Sequence, residues 1–145
     1  RKTSMVDRII AACNGSVKDK TIAILGVTFK PNTDDMRYSP SLDILPALQK
    51  AGASIRAYDP EGMEEALKML KDIEWCEDSY EAMEGADALV IITEWNAFRG
   101  LDFERVKSLL RKPVLVDLRN IYNPDDMATS GIDYHCLGRP PGSAI

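Results

Sequence analysis

Residues 21–27, TIAILGV, form an almost unbroken apolar run. A strand with one face in water alternates apolar and polar residues. One that is apolar throughout must be covered on both faces, which is the condition of a central strand in a parallel sheet. A second run of this kind, ALVIIT, occupies 88–93, and shorter strand-like stretches recur at 54–58, 73–76, 113–118 and 133–137. Segments with helical spacing separate them. One carries Leu42, Leu45, Ala47 and Leu48, is opened by Ser39 as cap with Pro40 at its first position, and is ended by Gly52. Others lie at 62–70, at 79–86 behind a capping Ser79, at 102–110, and from Asn123-Pro124 to Gly131.

Strand and helix thus alternate through the chain after Gly15. That pattern predicts an α/β fold, a Rossmann-like, doubly wound, mostly parallel sheet with helices on both faces and right-handed crossovers. Before it, Met5, Ile9, Ile10 and Cys13 sit at helical spacing, so residues 1–15 read as the end of a helix leading into one domain, residues 16–145. The tail 138–143, GRPPGS, has no packing signal and reads as mobile.

At 145 residues and 45% apolar composition the chain suffices for one core of its own. A net charge of -5 argues against nucleic acid or an anionic membrane as the main partner. No apolar run approaches membrane-spanning length. Cys13, Cys76 and Cys136 are odd in number and lack CxxC spacing. They point to buried, reduced thiols in the cytoplasm rather than to disulfides or zinc.

Ligands of open α/β sheets bind beyond the carboxyl ends of the strands. After the first strand a dinucleotide fold would show GxGxxG, because its backbone must approach a pyrophosphate. Here only Gly26 is present, in a long and bulky loop. Lys30 and Arg37 offer positive charge instead, and Arg119, at the end of another strand, can join them. Three cations with an aromatic, Phe29, suit an anionic, ring-bearing ligand such as a nucleoside diphosphate. The competing reading is a structural network in which Asp34, Asp35 and Glu94 tie up the same cations. Asp59 occupies the place of a ribose-binding acid, but without the glycines. Trp95 reads as a cover over the sheet edge, and His135, beside Cys136, as structural.

The string GVTFKPNTDDMR from Gly26 to Arg37, continued by SPS at 39–41, resembles the opening of the C-terminal, UDP-binding domain in the UDP-glucose/GDP-mannose dehydrogenase family. Three later strings, RAYDPEG at 56–62, TEWN at 93–96 and VDLRNIYNP at 116–124, resemble its UDP-glucose 6-dehydrogenase branch in particular. GDP-mannose and UDP-N-acetylmannosamine dehydrogenases share the first signature, and a stand-alone nucleotide-binding module is a further alternative. The resemblance implies a full enzyme, cytoplasmic and homo-oligomeric, that oxidises UDP-glucose to UDP-glucuronate with two NAD. An N-terminal domain would hold NAD, and a central region would supply the catalytic cysteine. By matched position Phe29, Lys30 and Arg119 would contact the UDP-sugar, and Arg37 would reach the NAD pyrophosphate. Neither the NAD fingerprint nor the glycine-rich segment of the catalytic cysteine occurs here. The expectation is therefore a chain that begins within the central helix and does not turn over substrate alone.

Overall fold

The computed structural model describes residues 2–137; Arg1 and the tail expected to be mobile lie outside the described residues. Among the described residues seven helices and six strands follow one another, alternating except where α5 and α6 are consecutive: α1 (Lys2–Ala12), β1 (Thr21–Leu25), α2 (Ser41–Lys50), β2 (Ser54–Tyr58), α3 (Met63–Leu67), β3 (Ile73–Trp75), α4 (Ser79–Met83), β4 (Ala88–Ile91), α5 (Asn96–Arg99), α6 (Phe103–Leu109), β5 (Val114–Asp117), α7 (Pro124–Thr129) and β6 (Asp133–Cys136). The strands form one sheet in the order β3-β2-β1-β4-β5-β6. Every pairing is parallel, so the sheet is wholly rather than mostly parallel. The chain builds outward from β1 to β3, then returns to the middle to start β4. The order therefore reverses between β1 and β4, the arrangement of a doubly wound sheet.

The apolar runs have the predicted cause. Along β1, Ile22 and Ile24 enter one core while Ala23 and Leu25 enter the other. β4 divides likewise, Ala88 and Val90 to the first core, Leu89 and Ile91 to the second. A period of two on a sheet covered on both faces makes every position apolar. Ile44, Leu45 and Leu48 of α2 and Ile9 and Ala12 of α1 cover the first face. Met83, Phe98, Val106 and Met127, from α4 to α7, cover the second.

Local chemistry sets the helix ends, with some differences from expectation. Asp78, not Ser79, caps α4: its extended backbone lets the carboxylate accept from the Glu81 amide at 2.8 Å. Ser39 does accept from the Ser41 amide at 3.2 Å, and Pro40 is already helical. Asp102 and Asn123 cap α6 and α7. α5 is a single turn that periodicity did not reveal, since four residues are too few to show one.

The three cysteines are free and buried. Burial raises the thiol pKa of Cys13 and Cys76, so both are held as inert thiols. An aromatic disulfide reagent is expected to label no cysteine of the native chain on the timescale that labels the urea-unfolded chain completely. A native thiol reacting at the unfolded rate would contradict the packing.

Candidate functional site

The C-terminal edge of the sheet gathers the loops that leave β1, β2, β4 and β5. Gly26 follows β1 at φ +85, and its amide donates to the Tyr58 carbonyl at 2.9 Å. A Cβ at this position would lie 2.6 Å from Thr93 Cβ and 2.8 and 2.9 Å from the Thr93 backbone nitrogen and oxygen. The glycine thus admits the chain leaving β4. Thr93 is 1% exposed, and its hydroxyl donates to the Thr28 carbonyl at 2.7 Å. The loop after β1 carries one glycine where a dinucleotide fold has a glycine-rich turn, and Thr93 packs directly on that glycine.

Asp59, at the exit of β2, is fully buried. Its Oδ2 accepts from the amides of Val27 at 2.8 Å and Thr28 at 3.2 Å, and from Trp95 Nε1 at 3.3 Å. The Thr28 hydroxyl lies 3.3 Å from the same oxygen. Oδ1 accepts from the amides of Glu61 at 3.0 Å and Gly62 at 2.7 Å. Both oxygens of the acid are thus engaged by donors of the protein itself. Trp95 does cover the sheet edge, being 7% exposed, and its indole N–H also reaches Thr28 Oγ1 at 3.3 Å. Gly62 packs so closely on Thr28 that a Cβ there would overlap the threonine methyl.

From this anchor the loop 28–38 forms a closed lobe. The Phe29 amide donates to the Asp35 carbonyl at 2.9 Å, and Asn32 sits between them in left-handed backbone at φ 66. Behind the lobe the hydroxyls of Ser39 and Ser41 donate to the Val27 carbonyl at 2.6 and 2.7 Å. Phe29, 43% exposed, and Lys30, also exposed, project from the anchored end. Arg37 leaves the other end. Its Nε and Nη2 both reach the Asp35 carboxylate at 3.1 Å, while its side chain stays 81% exposed. That guanidinium holds the Asp35 carboxyl below its ordinary pKa.

Arg119 lies two strands away, at the exit of β5. Its position depends on Asp117, also fully buried. Asp117 accepts from the amides of Arg119 at 3.0 Å, Ile121 at 2.7 Å and Tyr122 at 3.2 Å, and from the Tyr134 hydroxyl at 2.6 Å. The guanidinium of Arg119 donates to Glu94 Oε2 at 2.9 Å. Burial works to raise the Glu94 carboxyl, but the Arg119 hydrogen bond, a backbone amide and the charges of Arg119 and Arg99 outweigh it and hold the pKa down.

The edge therefore brings Phe29 and Lys30 together on one lobe, with Arg37 on its outer end and Arg119 across β4. The expected structural pairs, Arg37 with Asp35 and Arg119 with Glu94, exist beside the exposed Lys30. Sequence reasoning missed Thr28, Ser41, Thr93 and Asp117 as loop anchors. The available signal was a polar residue closing each buried apolar strand. His135 pairs with Asp133 at 3.0 Å on the edge strand β6. Among the described residues there is no group of three or more His, Cys, Asp and Glu able to hold a metal. No helix among them is long and apolar enough to cross a membrane. A groove of about 540 Å³ opens at the opposite edge of the sheet. Asp72, Glu74 and Glu84 line it beside Arg56, a rim that disfavours a phosphate.

A doubly wound sheet with a cationic lobe at its C-terminal edge, and one glycine after β1 in place of a glycine-rich turn, defines an α/β domain without the dinucleotide fingerprint. A family model described as the UDP-glucose/GDP-mannose dehydrogenase family, UDP binding domain, matches residues 23–124, and the chain belongs to that family as its UDP-binding domain. It is 55% identical over 140 residues to a UDP-glucose 6-dehydrogenase of Rhizobium meliloti (strain 1021), covering 97% of this chain and 32% of the relative. It is 43% identical over 141 residues to UDP-glucose 6-dehydrogenase TuaD of Bacillus subtilis (strain 168), covering 97% and 30%. The chain thus spans about a third of the length of the curated relatives it matches. Among solved structures, an NDP-N-acetyl-D-galactosaminuronic acid dehydrogenase from Methanosarcina mazei Go1 superposes with TM-score 0.83 at 28% identity, covering 95% of this chain and 29% of that one. A UDP-glucose dehydrogenase from Pyrobaculum islandicum gives 0.74 at 28% identity, covering 92% and 29%.

Gly26→Ala is expected to lose about 3 kcal/mol or more in urea denaturation, because the new methyl group meets Thr93 backbone in a left-handed conformation. Tyr134→Phe is expected to lose about 1.5–3 kcal/mol by removing a donor from the buried Asp117 carboxylate. Wild-type stability in either variant would contradict the anchoring described.

Proposed function

We propose that this chain grips the UDP portion of the substrate in a UDP-glucose 6-dehydrogenase, a cytoplasmic enzyme that oxidises UDP-glucose to UDP-glucuronate with NAD. The observation that carries this reading is the anchored lobe presenting Phe29 and Lys30 on a domain that belongs to a UDP-binding family. The identity to relatives named UDP-glucose 6-dehydrogenase supports the choice of substrate.

In this reading Lys30 meets phosphate oxygen with a charge-assisted contact, Phe29 lines the pocket beside it, and Arg119 holds the other side of the UDP group. The Arg119–Glu94 pair preorganises the guanidinium, so less side-chain freedom is lost when an anion arrives. Binding energy from the non-reacting UDP portion orients the sugar at chemistry supplied by other parts of the enzyme. NAD contributes the oxidising power when bound. Arg37, projecting from the lobe, is this chain's one proposed contact with it, at the NAD pyrophosphate. Residues 1–15 are proposed as the end of the helix that joins the domain to the rest of the enzyme.

Calorimetric titration with UDP, with GDP as control, tests the reading. Saturable UDP binding that Lys30→Ala or Arg119→Ala weakens about tenfold, the loss of one charge-assisted contact, is the expected outcome. Binding that neither variant alters would remove both residues from the site. The chain mixed with NAD and UDP-glucose is expected to form no NADH, and sustained NADH formation would overturn the division of labour.

A further inference from the structure

We propose that Asp59 is the positioning residue of the nucleotide site, a buried carboxylate that sets the place of Lys30 through Thr28 without touching ligand. This rests on the UDP reading above and deepens it. In a dinucleotide domain the acid ending β2 turns outward and binds a ribose. Here the acid in that place is fully buried and turned onto the β1 exit. It holds two consecutive amides there, those of Val27 and Thr28, at 2.8 and 3.2 Å. The Thr28 hydroxyl, 3.3 Å from Asp59 Oδ2, also lies 3.1 Å from the Lys30 carbonyl. One threonine therefore links the carboxylate to the residue that presents the ammonium group.

The connection extends to β4. Trp95 Nε1 lies 3.3 Å from both Asp59 Oδ2 and Thr28 Oγ1, and the Thr93 hydroxyl donates to the Thr28 carbonyl at 2.7 Å. Thr28 is 1% exposed and held at its amide, hydroxyl and carbonyl, whereas Lys30, two residues on, is exposed. A long cation on a free loop loses much rotational freedom on binding; the same cation on a fixed base loses less. Asp59 thus acts on affinity through Lys30, and the position is withdrawn from ribose recognition.

The test is a double-variant cycle on UDP affinity in this chain, with Asp59→Asn, Lys30→Ala and the two combined. The expected result is a loss of about tenfold for each single variant, with the double variant within about threefold of the weaker single. A purely structural role would leave the losses independent. A folded Asp59→Asn that binds UDP within twofold of wild type, or a double variant showing the full product of the two losses, overturns the proposal. If Asp59→Asn does not fold, Thr28→Val carries the test. That variant keeps the side-chain shape and removes the hydroxyl, and in a chain that stays folded at the assay temperature it is expected to lose affinity at least threefold. Unchanged affinity overturns the proposal. If the wild-type chain takes no UDP, the nucleotide reading falls, and amide hydrogen exchange decides the positioning role. Exchange that quickens about tenfold at residues 29 and 30 in Thr28→Val, with β4 and β5 at wild-type rates, supports it. Unchanged exchange there overturns it.

Discussion

A carboxylate removed from water costs several kcal/mol unless donors replace the lost hydration. Asp59 meets that condition with backbone amides on both sides of it, an indole N–H and a hydroxyl within reach. Because these groups come from the exits of β1, β2 and β4, one charge ties three loops into a single surface. Asp117 does the same for the chain leaving β5 and adds the Tyr134 hydroxyl from β6. The C-terminal edge of the sheet is consequently a solid floor. The amides of Val27, Thr28, Glu61 and Gly62 are turned inward onto Asp59, and those of Arg119, Ile121 and Tyr122 onto Asp117. Side-chain charge stands on that floor.

That charge is graded. Arg37 and Arg119 each have a carboxylate partner within the domain, at 3.1 and 2.9 Å. Each pair holds its guanidinium in place, and an incoming phosphate meets the donors that the carboxylate leaves free. Lys30 projects from the part of the lobe most tightly tied to the sheet. The net charge of -5 is compatible with an anionic ligand because local placement, rather than the total, sets the potential at the binding edge.

The architecture was legible in the sequence because two-sided burial leaves an unmistakable mark. IAIL and ALVI can be apolar at every position only when both faces of the sheet are covered. The short elements were read less well. Ser79 and Asp78 are equally good caps on paper, and the extended backbone of Asp78 decides between them. The site was legible only in part. Lys30 and Arg119 could be placed at strand exits by counting, and Asp35 and Glu94 could be suspected as partners by charge. The inward turn of Asp59 could not, since an acid followed by proline after a strand looks the same whether it faces ribose or amides. Its distinguishing partners, Val27, Thr28 and Trp95, lie 31 to 36 residues away along the chain, and no local pattern encodes contacts at such separations.

The contact between Gly26 and Thr93 bears on protein engineering. Restoring glycines to the loop after β1 would be the intuitive way to convert this domain into a dinucleotide carrier. Gly26, however, packs directly against Thr93 in the loop after β4, which is hydrogen-bonded across to Thr28. Any such redesign therefore has to treat the exits of β1 and β4 together, because the two are packed and hydrogen-bonded to each other.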